Sequence, residues 1–131
     1  MSSKFAEKTR VPVTQSKAEL ERVLVRYGCD AFVSGWSQES AMVQFSYMGR
    51  NVQITVPYPK DADDRVQRQR WRVLLLLVKA QIESVECGLM KFEEAFLPWL
   101  VLKSGTTVYQ TMLPELPTPS ERPRLKAVNR P

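Results

Sequence analysis

The chain has 131 residues, 44% hydrophobic and 25% charged, with a net charge of +5, enough for one domain with its own core. It has no histidine and two widely spaced cysteines, which removes His-based acid–base catalysis, Ser-His-Asp and Cys-His systems and His-containing zinc sites. The longest apolar run, residues 73–78, is far below the roughly 20 residues that span a bilayer, and the N-terminal MSSKFAEKTR has no secretory segment, so the chain reads as cytosolic with no membrane partner.

Residues 1–13 read as an extended arm, because Pro12 disfavours helix at the residue before it. Ser16-Lys17-Ala18-Glu19 then has the form of a capping box, with Ser16 at the N-cap and Glu19 reaching back. Leu20, Val23, Leu24 and Tyr27 follow at helical spacing, and Gly28 stands where a helix-ending glycine belongs. Three strands are expected next, over residues 29–36, 40–48 and 51–57. In the second, Ala41, Val43, Phe45 and Tyr47 alternate with Met42, Gln44 and Ser46; in the third, Val52, Ile54 and Val56 alternate with Gln53 and Thr55. Gly49-Arg50 supplies the hairpin turn between them, and Pro57-Tyr58-Pro59 ends the sheet.

A long helix should cover the apolar sheet face. It occupies the stretch DADDRVQRQRWRVLLLLVKAQIESVECGL at 61–89, with Asp61, Asp63 and Asp64 at its positive end. Val66, Val73, Leu74, Leu77, Val78, Ile82 and Val85 form its packing stripe, widened by Leu75 and Leu76, and Gly88 stops it. A second helical piece over residues 90–97 is ended by Pro98. Residues 101–113 contain a turn at Ser104-Gly105 and a short helix capped by Thr106 or Thr107. Residues 114–131, with five prolines, read as a flexible basic tail carrying Arg122, Arg124, Lys126 and Arg130. The single domain is therefore residues 14–113, an α+β fold in the order α-β-β-β-α-α with the long helix packed on one face of a small three-stranded antiparallel sheet.

Three surfaces are candidates for function. Arg65, Arg68 and Arg72 share one face of the long helix, where they can bind phosphates, and Trp71 beside them can stack on a base. Against this, Asp61 and Asp64 stand at the i,i+4 spacing that pairs with Arg65 and Arg68, and in that arrangement Trp71 belongs to the core. The second surface is the polar sheet face, with Gln44, Ser46, Gln53 and Thr55, Met42, Phe32 or Trp36 among them, and Arg50 at the hairpin turn. The third is the apolar segment with Phe92, Phe96 and Trp99, which either completes the core or meets a partner or a second copy. The carboxylate pairs lack the companion groups of a metal or hydrolase site, and no glycine-rich phosphate loop is present, so no cofactor, metal or catalytic residue is expected.

VPVTQSKAELERVLVRYG, the strand pair ending ITVPYP, and RQRWR…KAQIESVECG…FEEAFL together resemble a family of small proteins encoded by bacteriophages and prophages. The resemblance spans about residues 10–108. It carries no established activity and so assigns no catalytic or binding residue; it implies a phage product acting in a bacterial host cell. The α-β-β-β-α order is also similar in outline to double-stranded RNA-binding domains, and the β-β-β-α part to recombination-type single-strand annealing proteins. The lysine-rich, glycine-led second helix of the RNA binders is absent here. The expectation is a non-enzymatic nucleic-acid-binding accessory protein related to replication or recombination, able to self-associate. The alternative is a module that inhibits a host defence or replication protein, or an oligomer that sequesters a small ligand.

Overall fold

Residues 11–118 and Ser120 are described by the structure, a computed structural model. Residues 1–10 of the expected N-terminal arm (1–13), and residues 119 and 121–131 of the expected tail, lie outside the described residues. The elements follow in the order α1 (Val13–Tyr27), β1 (Ala31–Trp36), β2 (Ser40–Tyr47), β3 (Arg50–Pro57), α2 (Asp64–Glu86), α3 (Phe92–Phe96), a 3-10 turn (Leu97–Trp99), α4 (Val108–Met112) and a second 3-10 turn (Leu113–Glu115). This is an α+β fold.

The start of α1 corrects the expected cap. The helix begins at Val13 with Pro12 as its extended N-cap, so Ser16 lies within the first turn. Gln15 and Ser16 N–H both donate to the Pro12 carbonyl. Extended backbone at Pro12 is enough to launch the helix, four residues before the side-chain signal at Ser16. Ser16 is fully buried, and its hydroxyl has no hydrogen-bond partner among the described residues. At the other end Gly28 takes φ 102°, and the Gly28 and Cys29 amides close back on Leu24 and Val25 carbonyls. That closure needs the left-handed conformation glycine adopts without strain.

The sheet is a meander of order β1-β2-β3, antiparallel throughout. Its hairpin loop between β2 and β3 is Met48-Gly49, both with positive φ (49° and 81°), and Tyr47 pairs with Arg50 across it. Two such residues make the tight turn whose twist matches that of the strands. The turn thus lies one position earlier than expected at Gly49-Arg50, and Arg50 is the first residue of β3. Across the pairs, facing residues share a face, so Phe32 with Phe45, Ser34 with Val43 and Trp36 with Ala41 point the same way as Val52 and Ile54. Ala41, Val43, Phe45, Val52 and Ile54 are buried. They meet Leu20, Val23 and Leu24 of α1 and Trp71, Leu74, Leu75, Val78 and Ile82 of α2 in one core.

Helices α1 and α2 lie side by side and run in the same direction. Val13 lines a shared cleft with Gln67 and Arg68, Lys17 sits over the Trp71 ring, and Glu19 reaches both Arg72 and Lys79. Helix α2 starts at Asp63, whose carboxylate accepts the Val66 N–H at 3.0 Å. Its buried line includes Trp71, 1% exposed, while Val73 and Leu76 are 38% and 39% exposed. The expected stripe is thus rotated: an indole has far more apolar surface to remove from water than a valine, and the helix turns to bury it. The indole N–H donates to the Tyr58 hydroxyl at 3.1 Å, which satisfies its polar atom inside the core.

After α2, the chain closes one end of the core and then passes the outer edge of β3. Phe92 stacks near Tyr27 and Tyr47, and Phe96 meets Phe45 edge-on with centroids 5.5 Å apart. Leu100 then bridges Val52, and the Val101 N–H donates to the Asn51 carbonyl. The start of the β3 edge, where the Asn51 carbonyl would otherwise lack a backbone partner, is covered this way. Helix α4 follows, capped reciprocally by Thr107 and Gln110.

Two substitutions separate these contacts from the expected ones. Ser16→Ala should leave stability unchanged or raise it, because a buried unpartnered hydroxyl is removed; an N-cap serine would lose about 0.5–2 kcal/mol on the same change. Tyr58→Phe should cost about 1–3 kcal/mol, because the Trp71 N–H is left without an acceptor. Urea denaturation followed by fluorescence measures both.

Candidate nucleic-acid interface

On α2 the arginine face exists, but its members have different surroundings. Arg65 lies 3.8 Å from Asp63, and Arg72 lies 3.8 Å from Glu19 of α1, which also holds Lys79 at 3.1 Å. The arginines thus lean on Asp63 and Glu19 and not on Asp61 and Asp64. The first turn explains this. Asp63 is the N-cap, its pKa held below the usual carboxylate range first by the Val66 N–H and then by Arg65, while Asp61 precedes the helix with φ 61°. Arg68 is half-buried in a cleft with Pro12, Val13, Asp64 and Gln67, where residues 1–10 join the described chain. Trp71 does not belong to this surface. Its ring is in the core, so it offers no face to a base.

Arg50 is tied elsewhere. Its Nε donates to Glu93 at 3.3 Å, joining the start of β3 to α3; the Glu93 pKa is lowered by its own backbone amide first and by Arg50 second. Phe92 and Phe96, candidates for either the core or a partner surface, are buried and complete the core. Trp99 is half-buried and packs edge-on against Phe96, with centroids 6.5 Å apart. The apolar side chains left exposed in this region are instead Leu97, Leu102, Tyr109, Met112, Leu113 and Leu116.

The open face of the sheet carries Ala31, Val33 and Gly35 from β1, Met42, Gln44 and Ser46 from β2, and Asn51, Gln53 and Thr55 from β3. Phe32 and Trp36 are absent from it, contrary to expectation: the register sends both to the helix side, where Trp36 remains 64% exposed at the strand end. The aromatic side chains beside the open face come from the far end of the chain. Trp99 and Tyr109 line a cleft with Gln53, Thr55, Thr107 and Gln110. A second groove runs over Ala31, Val33, Gln44, Ser46 and Asn51 and shares Gln53 with the first. None of the nine strand positions on this face is acidic.

Charge is divided sharply along the chain. Residues 11–120 hold twelve Lys or Arg and twelve Asp or Glu, so the described body is electrically balanced. Residues 1–10 carry three basic side chains and one acidic, and residues 121–131 carry four and one. The whole excess of +5 therefore lies in the two ends. A count of net charge alone hides this. Among the described residues no group of three His, Cys, Asp or Glu side chains is placed to hold a metal ion, and no helix is long and apolar enough to cross a membrane.

No family model, curated protein or solved structure matches the chain.

The cysteines differ in environment. Burial pushes the Cys29 thiol up to about 11, with Asp30 adding to the effect, whereas Cys87 is exposed. Alkylation with iodoacetamide at pH 8 should modify Cys87 promptly. Cys29 should react only after denaturation, since little thiolate forms there. Equal rates at the two sites by peptide mass analysis would contradict the described packing around Cys29.

Proposed function

We propose that this protein is a non-enzymatic accessory protein of phage or prophage type that binds nucleic acid in the cytoplasm of a bacterial host, in a replication or recombination setting. The observation that carries the reading is the charge division: a balanced body flanked by two ends that hold the entire positive excess. Basic ends on a neutral body add little to the fold and much to attraction for phosphates, since each contact releases counterions. Arg68 lines a cleft with Pro12 and Val13 at the start of α1. Arg65, Arg72 and Arg50 contribute less here, because Asp63, Glu19 and Glu93 accompany them.

Fluorescence anisotropy with single- and double-stranded DNA and RNA tests the reading. Binding should weaken steeply with salt. Deleting residues 121–131 removes four cations and should flatten the logarithmic salt dependence by up to about 3 on single strands, at about 0.7 per cation. Arg65→Ala with Arg68→Ala should weaken binding to all sequences alike. No binding at low salt, or the same salt slope without residues 1–10 and 121–131, would remove the proposal.

A second reading, a protein-interaction module that blocks a host factor or self-associates, is favoured by one observation: the exposed apolar side chains of residues 97–116. Surface of this kind is common at interfaces. Under this reading the contact residues are Leu97, Tyr109, Met112 and Leu113, and the buried Phe92 and Phe96 take no part.

A further inference from the structure

We infer that the cleft between β3 and α4 is a site for one unpaired nucleobase with carbonyl acceptors on its edge, thymine and uracil foremost with two carbonyls and adenine last with none. The inference rests on the nucleic-acid reading above and gives it a location. The cleft has a volume of about 390 Å³, within the range of small-ligand sites. Its lining combines two aromatic rings, Trp99 and Tyr109, with the amides of Gln53 and Gln110 and the hydroxyls of Thr55 and Thr107. Aromatic rings offer stacking to any base, and primary amides offer paired donor and acceptor groups to a base edge. A paired base cannot enter such a cleft, so the partner is a single strand.

The amides are already half-committed, and in the same sense. Gln53 accepts the Gln44 amide N–H at 2.8 Å through Oε1, and Gln110 accepts the Thr107 backbone N–H at 2.9 Å through its own Oε1. Both side chains are thereby oriented. What each has left, among the described residues, is its NH2 group, a double donor. Two free donors suit a base that presents carbonyl oxygens. Adenine, which has no carbonyl oxygen and bears its amino group between N1 and N7, would bring that donor against another donor and lose a hydrogen bond.

The surroundings allow a strand to continue from the cleft. Gln53 also lines the neighbouring groove of about 350 Å³ over the open sheet face, bordered by Val101 and Gly105. Lys103 is exposed in the same loop. The strand positions of that face hold no carboxylate to repel the phosphates that flank a bound base.

Trp99 is the built-in reporter. In a Trp36→Phe chain it is the accessible indole, because Trp71 is buried. Titration of that full-length variant with a four-nucleotide oligothymidylate should quench its emission, and oligoadenylate should need about tenfold higher concentration. Tyr109→Ala, at an exposed position of α4, should weaken oligothymidylate binding about tenfold or more while circular dichroism stays unchanged. If longer oligonucleotides bind in a salt-dependent way but Trp99 emission and Tyr109→Ala register nothing, the cleft is not the site and the general reading survives. If no oligonucleotide binds at low salt, both fail. Binding without base preference overturns the donor argument, and binding of a proline-rich peptide in place of any oligonucleotide assigns the cleft to a different partner.

Discussion

Trp71 is the residue on which the arrangement depends. It is fully buried, it lies under Lys17 of α1, and its N–H bonds to the Tyr58 hydroxyl just beyond β3. One side chain therefore joins the two helices and the end of the sheet. Burying an indole sets the rotation of α2 about its own axis, and that rotation sets everything else the helix presents. Leu75 goes inward and Val73 and Leu76 go outward. Arg72 is brought to Glu19, so a residue that looks available for phosphates becomes part of the contact between α1 and α2.

A related constraint governs the opposite side of the sheet. The helices cover one face only, and the C-terminal segment crosses the β3 edge through the Leu100–Val52 bridge to reach the other. Edge protection and site construction are thus one event. The same backbone contact that engages the Asn51 carbonyl on the β3 edge delivers Trp99 and Tyr109 beside Gln53 and Thr55. A strand pair whose open face has amide and hydroxyl side chains and one methionine, but no aromatic ring, acquires aromatic rings from residues about fifty positions further along.

Much of the architecture was legible because it is written in short-range patterns. The alternation in 41–47 and 52–56 announced two strands and named their buried sides. Gly28 and Gly88 ended helices where expected, and Thr107 with Gln110 formed a cap at the spacing that signals one. Errors arose where a local signal had a stronger competitor. Ser16 and Glu19 have the form of a cap, yet Pro12 starts the helix first. Phe32 and Trp36 lie on a strand without clear alternation, so their face was unreadable until pairing with β2 fixed it. The candidate site was the least legible part, since Tyr109 gains its meaning only beside Gln53.

The sequence by itself determined the kinds of elements, their order, the apolar faces of β2 and β3, and the absence of histidine chemistry. These depend on contacts within a few residues and on composition. Tertiary structure decided the rotation of α2, the face taken by each aromatic side chain, the partners of the arginines and the position of the aromatic cleft. Each of these is settled by which large apolar surface can leave water against which neighbour, a comparison among residues distant in the chain that no local periodicity encodes.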